Sequence, residues 1–267
     1  MNLLFKGKYL LLSFFFLGIN LSQAQEAIST PNWKFGVFDF GLGVDQDNYG
    51  SMSLNDMLLL AKDPYQMQRD LAGFDEEIHA KAVGASANFN FGFVKPDLRK
   101  LNRTREKEIR FGVGFHSPRE AMITYKNEFT DTSIVYCNIQ GEISLDFAYL
   151  FKGMWGKRFQ YHYGLGANVA SSYNNQMMII HGKYFGPEEH PSEQEFFEEN
   201  TEYFDGKAVY FARAFVHAGI GYKFGKRWIS GINWRKGVGW QFVEDGNTNF
   251  LRGTSSFVLS LKYHFGI

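Results

Sequence analysis

The 267-residue sequence has little cysteine and little proline, with one cysteine, Cys137, and six prolines. A single cysteine excludes an intramolecular disulfide as a source of stability. A long apolar run is also missing, because the longest lies near the N terminus and spans about ten residues, whereas a transmembrane helix needs about 20. These absences exclude a disulfide-stapled scaffold and a membrane protein built from helices.

The sequence has no excess of either charge. Basic and acidic residues number 28 each, so the formal net charge at pH 7 is zero. Aromatic residues make up 18% and hydrophobic residues 45% of the chain, yet the mean hydropathy is negative. This combination is typical of a membrane β-barrel, in which polar residues of the lumen dilute the apolar residues of the outer face.

The N terminus has the composition of a secretory signal peptide. Lys6 and Lys8 precede an apolar stretch, and small residues follow at the positions that a signal peptidase reads, which predicts cleavage before Gln25. We therefore expect residues 1–24 to be a signal peptide and residues 25–267 to form one barrel domain.

The last stretch of the sequence alternates strictly between apolar and small or polar residues. Side chains of a strand point to opposite faces in turn, so this period-two pattern predicts a strand with one apolar and one polar face. The apolar members are Phe257, Leu259, Leu261, Tyr263, Phe265 and Ile267.

The same alternation recurs along the chain and predicts about eight antiparallel strands, eight or ten being the open alternatives. A bulge is expected near Val37 and Phe38, and Pro118 is expected to interrupt the third strand. The predicted strands are Trp33–Val44, Val83–Phe93, Ile109–His116 with a continuation over Met122–Tyr125, Ile139–Phe151, Phe159–Val169 with a continuation to Phe185, Tyr210–Phe224, Trp228–Val243 and Ser256–Ile267.

Two connections are predicted to be long and to lie on the outer side. Asp45–His79 contains helical spacing over Leu54–Lys62, which predicts a short surface helix or lid capped by Ser53 or Asn55. Gly186–Gly206 is strongly acidic and is expected to be a loop.

The signal peptide, the alternating strands and the aromatic C-terminal strand resemble the small outer-membrane β-barrel proteins of Gram-negative bacteria. The resemblance implies an all-β fold: a single antiparallel up-and-down transmembrane barrel with a short helix in the first outer loop. It also implies contact with outer-membrane lipid and lipopolysaccharide, and recognition of the C-terminal strand by the outer-membrane assembly machinery. Nucleic acid is not an expected partner.

Charged and histidine side chains on the inward faces are the first candidate functional residues. The lumen of an eight-stranded barrel is just wide enough for side chains to fill it, so buried charges there must pair. We expect a polar network, with a proton or ion path as the alternative. Its predicted members are Arg110, Glu142, Asp146, His162, Arg213, His217, Arg235, Lys262 and His264.

Enzymatic motifs were sought and none matches. Barrel lipid A deacylases carry a His-x-Ser pair on one strand face, but His116 and Ser117 are adjacent and so point to opposite faces. Calcium binding by acidic residues of the second outer loop is conceivable chemically, but a charged surface loop is usually only solvated. We expect no catalytic residue, no cofactor and no metal site.

Aromatic residues in the acidic outer loop are the remaining candidates, because exposed aromatics often mark contact with a partner. They are Phe196, Phe197, Tyr203 and Phe204. The sequence thus predicts a non-enzymatic outer-membrane barrel with a structural or surface-interaction role in its outer loops. The alternatives are a lipid-modifying enzyme or narrow channel, and a secreted lipocalin-like barrel that binds a lipophile.

Overall fold

A computed structural model describes residues 33–49, 52–79, 81–97, 105–185, 195–244 and 249–265. The predicted signal peptide lies outside the described residues and stays a prediction. Among the described residues, no helix is long and apolar enough to cross a membrane.

Eight antiparallel strands close into a ring, so the predicted up-and-down barrel is confirmed. Each strand of the ring pairs with its neighbour along the chain, and the first pairs with the last. The ring consists, in order, of β1 Lys34–Asn48, β3 Lys81–Asp97, β4 Arg105–Asn127, β5 Thr132–Trp155, β6 Phe159–Phe185, β8 Val209–Phe224, β9 Trp228–Val243 and β10 Asn249–His264.

Two shorter strands extend the barrel on its outer side. β2, Asp75–His79, pairs with the upper part of β4, and β7, Glu195–Asp205, pairs with the upper part of β6. The prediction of a loop over Gly186–Gly206 is therefore wrong for residues 195–205. Apolar and polar residues alternate too irregularly over residues 195–205 to identify this strand from the sequence. The strand forms because β7 pairs with the edge of β6.

Irregular pairing occurs close to the predicted positions. The β1–β3 register shifts between Phe35 and Val37, which confirms the predicted bulge one residue earlier. Pro118 falls within a shift of the β4–β5 register, but pairing resumes at Arg119 and continues to Asn127. The third predicted strand and its partner therefore form a tall hairpin with a turn at residues 128–131.

The outward faces of the ring are apolar and exposed, and the inward faces are polar and buried. Exposed outward residues include Phe91, Phe111, Phe147, Leu165, Ile220, Trp234, Phe257 and Leu259. A soluble lipocalin-like barrel needs the opposite polarity, with its aromatic residues inside and its polar residues in water. That alternative is therefore excluded by the direction in which the side chains point.

The first outer connection folds into the mouth of the barrel. Its helix α1, Leu54–Leu58, begins at Ser53, whose hydroxyl accepts from the Asp56 backbone while the Asp56 carboxylate accepts from the Ser53 backbone. A 3₁₀ turn follows at Pro64–Met67. The predicted helix is thus present but shorter than Leu54–Lys62, and it is not a surface element.

Residues 52–74, hereafter the plug segment, bury their apolar side chains against the outer extensions of the strands. Met57, Ala61 and Met67 are completely buried and contact a cluster that includes Ile123 and Tyr136 of the barrel wall. The segment is also joined to the wall by a bridge between Ala61 and Gly206. Because this cluster excludes water from apolar surface, it holds the plug segment in place.

Candidate functional site

The lower lumen, toward the periplasmic turns, holds a compact charge cluster. Arg110 contacts Asp39 at 3.0 Å and Glu108 at 2.6 Å, and the ammonium of Lys152 contacts the second oxygen of Glu108. All four side chains are buried. Each positive charge therefore faces a carboxylate, which is what burial of charge in a narrow lumen requires.

Four of the predicted lumen residues lie near this cluster with fewer contacts. Lys262 donates to the side-chain oxygen of Asn233 at 3.3 Å, and His264 is half-buried at the periplasmic end. The rings of His162 and His217 face each other edge-on, with centroids 5.1 Å apart. The structure places all of them inside the barrel, with Lys262 and His264 on β10 and the two histidines of the ring contact on the adjacent strands β6 and β8.

The middle of the lumen contains an acid–histidine–serine arrangement. Asp45 contacts Nδ1 of His116 at 2.5 Å, and Nε2 of His116 lies 3.2 Å from the hydroxyl of Ser144. The Ser144 hydroxyl donates its hydrogen to Asp146 at 3.0 Å, and Asp146 also pairs with Arg235 at 2.6 Å. A hydroxyl has one hydrogen, and that of Ser144 is directed at Asp146 instead of at the His116 ring.

The upper lumen is organised around Glu142, which contacts three arginines. Arg119 lies 2.5 Å and Arg252 2.9 Å from one carboxylate oxygen, and Arg213 binds the other. Asp47 provides a second carboxylate, 2.7 Å from Arg119 and 3.1 Å from Arg252. All five side chains are buried, so this cluster forms a charged layer across the lumen.

Aromatic rings pack against the upper cluster. The guanidinium carbon of Arg252 lies 4.0 Å from the centroid of the Phe211 ring, and its Nη1 donates to the Tyr49 hydroxyl at 3.1 Å. A cavity of about 40 Å³ lies between the upper and middle groups and is lined in part by Arg119, Arg213 and His116. It has room for a few water molecules and for no lipid or sugar.

Several members of the network were missed from the sequence. Glu108 lies two residues before Arg110, and Lys152 lies six residues after Asp146. Both spacings are even, so the period-two pattern could have placed both residues on the inward face. The inward series of β1 includes Asp39 and Asp47, of which Asp47 had been assigned to the first outer loop. Arg119 and Arg252 had no signal, because one follows the Pro118 bulge and the other precedes the clearest alternation of its strand.

The plug segment is tied to β7 by a polar contact at the outer end. Arg69 lies 2.7 Å from Glu202, and Nε2 of His181 contacts the other Glu202 oxygen at 3.0 Å. The hydrogen bond from Arg69 lowers the pKa of Glu202, and His181 adds to this effect. Nearby, burial raises the pKa values of Tyr125 and Tyr136.

The aromatic residues predicted as outer contacts are divided between two faces of β7. Phe197 and Tyr203 are each 62% exposed, whereas Phe204 packs inward against the plug cluster. The side chain of Phe196 lies outside the described residues. Phe129, at the tip of the β4–β5 hairpin, is 97% exposed and was not among the predicted contact residues.

The described part of the chain contains neither a group of side chains suited to bind a metal ion nor an accessible thiol. No group of three or more His, Cys, Asp or Glu side chains there is placed to hold a metal ion. Cys137 is free but buried in the outer part of β5, and burial raises its thiol pKa to about 12.

Comparison with solved structures finds outer-membrane proteins at low sequence identity and low TM-score. OprG from Pseudomonas aeruginosa aligns with a TM-score of 0.41 and 10% identity, over 88% of this chain and 99% of its own. Ail of Yersinia pestis gives 0.29 and 8% over 87% and 100%, and Neisserial surface protein A gives 0.30 and 12% over 86% and 99%. No family model and no curated protein matches the sequence.

The class of the protein follows from its own ring of strands and their polarity. A closed barrel satisfies every backbone hydrogen bond between strands, and its apolar exterior faces the hydrocarbon of a bilayer. Two three-residue turns, at residues 156–158 and 225–227, lie at one end, and the connection that contains the plug segment lies at the other, as in bacterial barrels with short turns on one side and longer loops on the other. The chain forms an eight-stranded β-barrel with the polarity of a protein that spans a membrane.

Proposed function

We propose that this barrel is neither a channel nor an enzyme and that it works through its outer end, as a surface-interaction protein. The observation that carries the proposal is the closure of the lumen at two successive levels. The charge cluster around Glu142 crosses the lumen, and the plug segment fills the mouth above it. What remains available to a partner is the surface beyond the membrane.

A narrow channel requires a continuous wet path, and the packing of the lumen argues against one. An ion would have to displace the plug segment and then separate Glu142 from its arginines. Breaking a buried ion pair costs about 3–5 kcal/mol. The closed state is therefore the stable state of the lumen.

An enzymatic role is opposed by the surroundings of Ser144, although an acid–histidine–serine arrangement is present. Ser144 is completely buried, its hydrogen bonds to Asp146, and the adjacent cavity is too small for an acyl chain. A nucleophilic serine instead needs its proton directed at the histidine and space for a carbonyl carbon.

The outer end offers a partner aromatic groups in an acidic setting. Phe129 and Tyr203 are exposed beyond the membrane, and Tyr65 of the plug segment is 80% exposed. Exposed acids lie near them, among them Glu128, Asp131, Glu198 and Glu199. This chemistry fits a polypeptide that presents apolar and cationic groups, and the contacts with lipopolysaccharide and the assembly machinery stay separate proposals.

Conductance across planar bilayers tests the closed lumen. We expect no unitary currents from the purified barrel, and steady currents from a variant that lacks residues 52–74 and carries Arg119→Ala and Arg252→Ala. The variant is the positive control for insertion. Currents of the same size from the unmodified barrel would establish the channel alternative.

Two further measurements test the other parts of the proposal. A fluorophosphonate probe should leave Ser144 unlabelled in the folded barrel, and labelling that disappears with His116→Ala would establish an enzyme. Binding of cationic, tryptophan-containing peptides to the barrel in nanodiscs should fall with Phe129→Ser and Tyr203→Ser. The matched control Thr130→Ala, next to Phe129 on the same turn, should leave binding unchanged.

A further inference from the structure

The two short periplasmic turns share one pattern, Gly-Lys-Arg between two aromatic residues. Residues 155–159 read Trp-Gly-Lys-Arg-Phe, and residues 224–228 read Phe-Gly-Lys-Arg-Trp. Each turn has its glycine at positive φ, 68° for Gly156 and 78° for Gly225, a conformation that favours glycine. All ten residues are exposed.

The side chains of the two turns are held in the same way. In the first turn, Nη1 of Arg158 donates to the Tyr222 hydroxyl on the neighbouring strand at 2.8 Å. The Tyr222 ring packs edge-on against Phe159, with centroids 5.4 Å apart. The backbone oxygen of Arg158 also accepts from the Lys223 amide at 2.7 Å.

The second turn reproduces each of these contacts one hairpin further along the barrel. Nη1 of Arg227 donates to the Tyr263 hydroxyl at 2.9 Å, and Tyr263 packs against Trp228 at 4.8 Å. The backbone oxygen of Arg227 accepts from the His264 amide at 2.8 Å. The three repeated contacts hold each arginine in one position before any ligand binds, which lowers the entropic cost of binding.

The positive charges of the turns form no ion pair with the acidic side chains that the structure describes. Among the described residues, no acidic side chain forms an ion pair with Lys157, Arg158, Lys226 or Arg227, in contrast to the paired charges of the lumen. An open recess of about 460 Å³ lies between the turns and is lined by Lys157, Arg158, Tyr222, Lys223, Phe224 and Gly225. Its volume is in the range of small-molecule sites.

The recess lies at the level where a bilayer changes from hydrocarbon to headgroups. Trp155, Phe159, Phe224 and Trp228 form the aromatic row that marks this boundary in outer-membrane barrels. The arginines and lysines lie immediately beyond the row, where basic residues meet lipid phosphates. A guanidinium with one nitrogen held by tyrosine keeps other N–H groups for a phosphate.

We propose that the two Gly-Lys-Arg turns form a binding site for the phosphate headgroup of anionic glycerophospholipids in the periplasmic leaflet. The acyl chains of the lipid would lie against the aromatic row while Arg158 and Lys157 bind the phosphate, and Arg227 and Lys226 provide the equivalent position at the next hairpin. This site does not depend on what the outer end of the barrel binds.

The test is native mass spectrometry of the full detergent-solubilised barrel, titrated with phosphatidylglycerol. The variant Arg158→Gln with Arg227→Gln should bind this lipid roughly tenfold to thirtyfold more weakly, since each basic residue contributes about 1 kcal/mol near an anionic surface. The matched control, Lys62→Gln with Lys183→Gln, removes the same charge from the outer end and should bind normally. Heat-dependent gel migration confirms that every variant is folded.

The other outcomes separate the lipid site from simpler explanations. Equal weakening in the control pair would mean a general charge effect and would overturn the proposal. Equal affinity for zwitterionic phosphatidylcholine, or displacement of the lipid by millimolar inorganic phosphate, would overturn it as well. The pair Arg158→Lys with Arg227→Lys should bind with intermediate affinity, because it keeps the charge and loses the tyrosine contact.

Discussion

At the scale of single residues, the barrel is filled by charges that satisfy one another. Glu142 is the most connected of them, since three guanidinium groups share its carboxylate. Replacing it leaves Arg119, Arg213 and Arg252 close together with only Asp47 to oppose them. Removing the charge of Glu142 should therefore lower the free energy of unfolding more than removing the charge of any one of the three arginines.

The variant Glu142→Gln should lose about 3–5 kcal/mol of unfolding free energy, the cost of leaving buried charges without a partner. Urea unfolding in lipid vesicles, followed by tryptophan fluorescence, measures this loss. Lys62→Gln is the control, because its pair with Asp205 is exposed and should contribute between 0 and about 1 kcal/mol. Similar losses for the two variants would show that the Glu142 cluster is not a stabilising centre.

The sequence identified the inward face of each strand but not the partners within the lumen. The period-two pattern placed Glu142, Arg213 and Asp146 inside, because a strand alternates its faces without exception between bulges. Which arginine reaches Glu142 depends on the register of strands far apart in the chain. Arg252 is 110 residues from Glu142, so no local pattern connects them.

At the scale of elements, the plug segment departs most from what the sequence indicated. Its helical spacing was visible, and the capping box at Ser53 explains where α1 begins. Its burial was not visible, since the apolar cluster that includes Met57 and Met67 draws its other members from six different strands of the ring. The same cause hid β7, whose hydrogen bonds come from a strand that the sequence predicted only as a possible extension.

The attachment of the plug segment should depend on pH through Glu202. Its pKa is depressed by the Arg69 hydrogen bond, so the stabilisation is fully present above the ordinary glutamate pKa, about 4.3, and is lost as pH falls through the depressed value. A nitroxide at Tyr65→Cys should be restricted at pH 7 and become mobile under acid conditions, as seen by electron paramagnetic resonance.

The variant Glu202→Gln separates this contact from the other acids of the outer end. It removes the titrating group, so the acid-dependent step in nitroxide mobility should disappear. A step of unchanged size in Glu202→Gln would assign the pH dependence to another group and would contradict the role given to Glu202.

At the scale of the whole molecule, the two ends of the barrel differ in charge and in structure. The periplasmic end has tight turns with exposed Lys157, Arg158, Lys226 and Arg227, and the outer end has tall hairpins with exposed acids. From this difference we expect one orientation, in which the Gly-Lys-Arg turns lie in the periplasm. Both the surface-interaction role and the phospholipid site depend on it.

Cysteine labelling in intact cells determines the orientation. A maleimide too large for outer-membrane pores should label Phe129→Cys from outside, whereas Lys226→Cys should react only after the envelope is broken. The native Cys137 gives no background, because it is buried and its thiol pKa is about 12. Labelling of Lys226→Cys in intact cells would show that the barrel has the opposite orientation. The basic turns would then lie at the cell surface and the plug segment in the periplasm.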